Sequence, residues 1–236
     1  MDTHLHHDPH IESHLRSSQT LIDIVIGMSD GLTVPFALAA GLSGAVDSSK
    51  IIVIAGIAEI AAGSIAMGLG GYLAGKTEQD HYESERKREY YEVEHLRDRE
   101  IEETKDFFAS LGLSEAVQTK ATEEISKNPD RWVEFMMKYE LGLDEPDPRR
   151  ATKSALNIGL SYIAGGIIPL SPYFFIENSS IALRYSVIAT LICLFAFGYF
   201  KSKITGVHPL KGALKVMAIG AAAAAAAFGV AKLFES

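Results

Sequence analysis

The chain has 236 residues, of which 47% are hydrophobic and 22% charged, and its formal net charge is −8. The acidic balance argues against a nucleic-acid partner, which needs a basic face. A single cysteine, Cys193, excludes an intrachain disulfide. The averages resemble those of a soluble protein but conceal a segregation: residues 76–153 hold most of the charge, and the stretches on either side hold almost none.

Residues 1–18 are polar, lack periodicity and carry His4, His6, His7, His10 and His14. They read as a flexible tail on the cytosolic side, either solvated with incidental histidines or binding metal loosely. With no apolar core for a signal peptide in this tail, the first membrane helix is expected to serve as its own targeting signal. Five apolar stretches follow, at residues 21–46, 51–74, 155–175, 181–200 and 213–233. A helix rising ~1.5 Å per residue crosses a ~30 Å hydrocarbon core in about 20 residues, so each stretch is long enough to span a membrane. Glycine and alanine recur in them (GLSGA, GLGGYLAG, AIGAAAAAAAFG), as suits helices that pack closely in lipid. In the third stretch, Pro169 and Pro172 predict a bent or unwound outer end.

The expected fold class is therefore all-α: a polytopic membrane protein with five transmembrane helices and a three-helix cytosolic domain inserted between the second and third. The domain plan is a tail at 1–18, helices one and two at 19–75, the inserted domain at 76–147 and helices three to five at 148–236. Lys76, Arg86, Lys87 and Arg88 follow the second stretch, Arg149, Arg150 and Lys153 precede the third, and Lys201, Lys203 and Lys211 lie between the fourth and fifth. These basic flanks place the N-terminus and the inserted domain in the cytosol and the C-terminus on the far side. Within the insert, the second membrane helix is expected to continue unbroken to about Leu111. A short helix follows from Ser114 and Glu115, and another starts after Asn128, Pro129 and Asp130.

Glu85, Glu89, Glu92, Glu100 and Glu103 recur at helical spacing, on one face of the first cytosolic helix. Like charges so placed repel by about 0.2–0.5 kcal/mol per neighbouring pair, so a positive partner is required. That partner is either a bound cation or the arginines 86, 88, 97 and 99. Met136 and Met137 lie four and three residues before Glu140 and could converge with it, adding soft donors to hard ones as a borderline transition metal prefers. The alternative is a small apolar core with Trp132 and Phe135. Asp23, Asp30 and Glu59 fall inside apolar stretches. A carboxylate at mid-bilayer costs about 2.5–3.5 kcal/mol on insertion scales and normally lines an ion path. Asp23 reads as interfacial; Asp30 and Glu59 read as path residues, the alternative being a purely structural polar contact, with Met28 and Met67 as the soft groups at hand. No nucleophile elbow, P-loop or zinc-hydrolase signature supports an enzyme reading, and without a nucleotide site transport would run on ion gradients.

The stretch DIVIGMSDGLTVPFALAAGLSGA at residues 23–45, followed by EIAAGSIAMGLGGYLAGKTEQDHYESERKRE at 59–89, resembles the vacuolar iron transporter family of plants, fungi and protists. The resemblance covers the chain beyond the tail and includes the acidic insert that the nodulin-like branch lacks. It implies proton-coupled movement of Fe²⁺ from cytosol into the vacuole across the vacuolar membrane, by a homodimer with its path near the interface. The family's pathway residues fall on Asp30, Glu59 and Met67, and its cytosolic metal residues on Glu89, Glu92, Glu100, Glu103, Met136, Met137 and Glu140. No prosthetic group is implied; the ligands are divalent metal (Fe²⁺, with Mn²⁺, Co²⁺ and Zn²⁺ as alternatives), protons and lipid. The alternative function is a membrane-anchored metal sensor or scaffold, which would need no carboxylate at membrane depth.

Overall fold

The computed structural model describes residues 19–235, so the tail and its five histidines lie outside the described residues. Every regular element among them is helical: α1 (Gln19–Ala45), α2 (Ser49–His95), α3 (Arg97–Ser110), α4 (Glu115–Ile125), α5 (Pro129–Phe135), α6 (Arg150–Leu170), α7 (Ser179–Ile204) and α8 (Pro209–Glu235). A π turn, Met136–Glu140, follows α5, and a 3₁₀ turn, Ser171–Phe174, follows α6. Five of these helices are long and apolar enough to cross a membrane, namely α1, α2, α6, α7 and α8. The chain divides into two compact units, one formed by the described residues through Leu69 and from Ser154 onward, the other by Gly70–Lys153.

Glycine sets the packing of the first unit. A Cβ at Gly27 would lie 2.2 Å from the carbonyl oxygen of Ile158, and one at Gly31 would lie 2.3 Å from that of Tyr162. The backbones of α1 and α6 therefore touch, a contact that any side chain at these two positions would prevent. On α2, Gly63 leaves room for the hydroxyl of Tyr162, which a Cβ would approach to 2.5 Å. An apolar cluster of Ala39, Ile52, Ile60, Leu170, Tyr173 and Ala182 ties α1, α2, α6 and α7 together at the end where α1 turns into α2. The bent outer end expected from Pro169 and Pro172 takes the form of the 3₁₀ turn, whose first turn contains Pro172. The Ser186 hydroxyl donates to the Pro169 carbonyl at 2.7 Å. Asn178 then starts α7 by accepting the Ile181 N–H at 3.0 Å.

The second unit departs from expectation at one point. The helix that leaves the membrane stretch does not run on to Leu111: α2 ends at His95, Leu96 adopts φ −122° and ψ 34°, and α3 begins at Arg97. Neither glycine nor proline stands there. Val93 and Ile101, on opposite sides of the break, both pack on the cluster of Trp132, Val133, Met136 and Met137. A straight helix would hold those two residues ~12 Å apart along its axis. Tertiary burial overrides local helix propensity here. Gly112, at φ +80°, makes the turn after α3, a conformation that L side chains rarely adopt. Asn128 caps α5 by accepting the Arg131 N–H at 3.1 Å, with Pro129 in its first turn. Trp132 is wholly buried, and its indole N–H donates to the Thr104 hydroxyl at 2.8 Å, locking α5 to α3.

Candidate metal sites

In the Gly70–Lys153 unit, α2 supplies Glu89 and Glu92 and α3 supplies Glu100. One carboxylate oxygen from each of the three lies within 4.8 Å of the others. Oxygens that share one divalent cation at ~2.0–2.6 Å are separated by up to ~4–5 Å, so this spacing fits a common ion. Along an unbroken helix, Glu89 and Glu100 would stand ~16 Å apart. The break at Leu96 is what closes the group.

Burial makes the arrangement costly without a cation. Glu100 is 1% exposed and neither of its carboxylate oxygens has a hydrogen-bond partner; Glu89 is 4% exposed. Burial, then repulsion from Glu92 and Glu140, raises the Glu89 carboxyl to about 7, opposed by the charge of Arg88. Burial, then repulsion from Glu103, Glu89, Glu92 and Glu140, raises that of Glu100 to about 7 as well. Burial and the charges of Glu103 and Glu92 push Glu140 up too. The five glutamates expected at the site, Glu89, Glu92, Glu100, Glu103 and Glu140, thus form one electrostatic group.

Met136 and Met137 are each 1% exposed and belong to the apolar cluster around Trp132. The Thr104 hydroxyl shares its one hydrogen between the Glu100 carbonyl at 2.7 Å and the Met136 sulfur at 3.4 Å. Met136 therefore backs onto the helix turn that carries Glu100. Met136, Met137 and Glu140 make up most of the π turn, where Leu141 N–H reaches five residues back to the Met136 carbonyl at 3.0 Å. The extra residue per turn re-aims these side chains, a device frequent at functional sites.

A second group lies within the membrane helices. Tyr162 on α6 donates its hydroxyl hydrogen to Oε1 of Glu59 on α2. The other Glu59 oxygen, Oε2, is buried and has no hydrogen-bond partner. Asp30 on α1 is near enough to act electrostatically on Tyr162. Met67 stands two turns beyond Glu59 on α2, with Gly63 between them, and all three are half-buried. Asp23 is 2% exposed and accepts the Ser154 hydroxyl at 3.0 Å, where the first turns of α1 and α6 meet. Sequence reasoning did not select Tyr162; its only signal was a hydroxyl inside an apolar run, and its partner depends on how α2 and α6 pack.

The architecture is that of an all-α protein with five helices fit to span a membrane, carboxylates among those helices and a buried carboxylate cage in its inserted unit. The sequence model of the VIT family matches residues 21–232, and the chain belongs to that family. It is 50% identical to "Vacuolar iron transporter 1" of Tulipa gesneriana over 96% of this chain and 92% of that protein. The protein of the same name in Arabidopsis thaliana is 50% identical over 97% of this chain and 91% of its own length. "Protein CCC1" of Saccharomyces cerevisiae is 40% identical over 90% of this chain and 68% of its own length.

Proposed function

We propose that this chain carries ferrous iron from the cytosol into the vacuole in exchange for protons. Glu100 carries the reading: a buried carboxylate with two unpartnered oxygens, set beside Glu89 and Glu92, needs a cation to justify its position. The relatives named as vacuolar iron transporters supply the cargo and the membrane. Glu103 and Glu140 extend the cage, and Met136 and Met137 give it a soft side that favours Fe²⁺, Mn²⁺, Co²⁺ or Zn²⁺ over Mg²⁺. The inserted unit faces the cytosol, captures metal there and raises its concentration near the membrane; the C-terminus is lumenal.

Asp30, Glu59 and Met67 then pass the ion across. Glu59 combines one tyrosine-bound oxygen with one buried free oxygen, so it can exchange a proton for a cation. A sensor anchored by the same helices would gain nothing from that carboxylate. The active form is a homodimer: Ala58, Ala62 and Ala66 form an exposed small-residue ladder on α2, on the helix that also carries Glu59 and Met67. Purified protein in proteoliposomes tests the proposal. Fe²⁺ uptake, measured anaerobically, should be driven by an imposed pH gradient, and uptake independent of that gradient would mean that the exchange is wrong.

A further inference from the structure

The carboxylate cage is not without a cation of its own. Arg88, one residue before Glu89, has a half-exposed side chain that points along the cage wall. Its Nη2 lies 2.6 Å from Oε2 of Glu85 and 3.8 Å from Oε1 of Glu89, and its Nε lies 3.7 Å from Oε2 of Glu92. The first contact is a close ion pair; the other two are longer, looser electrostatic contacts. Glu89 and Glu92 are cage members, whereas Glu85 is outside the three carboxylates that share a common point. Arg88 therefore has one firm partner outside the cage and two loose partners inside it.

We propose that Arg88 is a resident counter-cation that sets the metal affinity of the cage: it partly neutralises Glu89 and Glu92 before metal arrives, and withdraws onto Glu85 as a divalent ion takes them. This rests on the reading of the cage as the metal-capture site. Withdrawal breaks no close contact, because the close ion pair with Glu85 is kept. The guanidinium remains a fixed positive charge a few ångströms from the bound ion, and it cannot be neutralised by losing a proton. Like charges at that range repel, so Arg88 weakens binding and speeds release. A domain that must hand its ion onward needs such a limit, since a cage of five carboxylates without one would hold metal too long. Glu85, which shares the helix face but not the cage, acts as the resting place of the arginine.

The full-length chain in detergent, titrated with Zn²⁺ by equilibrium dialysis, tests this. Arg88→Gln should lower Kd on the order of tenfold and slow dissociation, and added salt should narrow its difference from the unaltered protein. Arg88→Lys, which keeps the charge, should stay close to the unaltered protein. Glu85→Gln should raise Kd by freeing Arg88 to press on Glu89 and Glu92, and that rise should shrink sharply when Arg88→Gln is also present. A Kd for Arg88→Gln equal to or above that of the unaltered protein overturns the proposal, as does a Glu85→Gln effect that is the same with and without Arg88. Glu100→Ala separates the underlying reading: if it binds Zn²⁺ as well as the unaltered protein, the cage is not the site and both fall. If it loses binding while Arg88→Gln fails to tighten it, only the role of Arg88 is wrong.

Discussion

Tyr162 and Glu59 face each other from α6 and α2, hydroxyl to carboxylate, and Gly63 is the residue that makes room for the ring's hydroxyl. The pair leaves one carboxylate oxygen engaged and one buried without a partner. A hydrogen bond to a charged group is worth about 1.5–3 kcal/mol, enough to matter for whether a site inside a membrane holds a proton or a cation. Glu59→Gln should keep the fold and the tyrosine contact but blunt the response of uptake to a pH gradient. Tyr162→Phe should slow uptake by about tenfold or more, the equivalent of ~1.4 kcal/mol in the barrier. Full pH-driven uptake by Glu59→Gln in proteoliposomes would move proton exchange to another group.

Asp30→Ala and Met67→Ala should each reduce transport by at least about tenfold while leaving the protein folded. Both side chains are half-buried and neither belongs to the apolar clusters that hold the helices together. Size-exclusion behaviour should match the unaltered protein. Near-normal uptake by Asp30→Ala would remove that residue from the path.

The cage makes a sharper prediction because its control lies on the same unit. Alanine at Glu100 and Glu103 should remove most of the heat of Zn²⁺ binding to the full-length chain. Alanine at Glu123 and Glu124 on α4 should not, since neither is among the carboxylates acting on Glu89, Glu100 or Glu140. At a hundredfold excess over Kd, metal should stabilise the unaltered protein by about 2.7 kcal/mol. Equal losses from the two pairs would mean that negative charge in bulk, and not this cage, attracts the ion.

The five long apolar helices were legible because bilayer thickness imposes a length and a hydropathy that no other constraint imitates. The start of α4 at Glu115 and, to within two residues, that of α5 beside Asn128 and Pro129 were legible from the residue types there, although Ser114 makes no side-chain cap and Asn128 does. The break at Leu96 was not, since nothing in His95, Leu96 and Arg97 disfavours a helix; only the shared burial of Val93 and Ile101 explains it. The carboxylate spacing drew attention to Glu89, Glu92 and Glu100, but on the expectation of one straight face; they meet across a break. Of the two sequence readings of Met136 and Met137, core or ligand, the packing shows the core. The pair packs around Trp132, and Met136 alone is tied through Thr104 to the turn bearing Glu100.

The last prediction concerns pH and the stability of the metal-free protein. Burial and neighbouring carboxylates push Glu89 and Glu100 up to about 7 in the folded chain, against the ordinary glutamate value of 4.5 expected when unfolded. Between those two values the folded state therefore binds more protons than the unfolded state. Stability from these groups is greatest at and below the lower value, and falls as pH rises through the window up to about 7. This is the reverse of the behaviour of a carboxylate held by a salt bridge. Metal inverts the sign, because it binds the ionised carboxylates and competes with protons for them. Thermal unfolding of the inserted unit, followed by Trp132 fluorescence in the full-length chain, should show a metal-free midpoint that drops from pH 5 to 7.5. With saturating Zn²⁺ the midpoint should rise over the same range, and Glu100→Gln should flatten both trends. A metal-free midpoint that instead rises with pH would mean that cations already at hand, Arg88 and Arg99 among them, neutralise the cage, and that its carboxylates are not strained without metal.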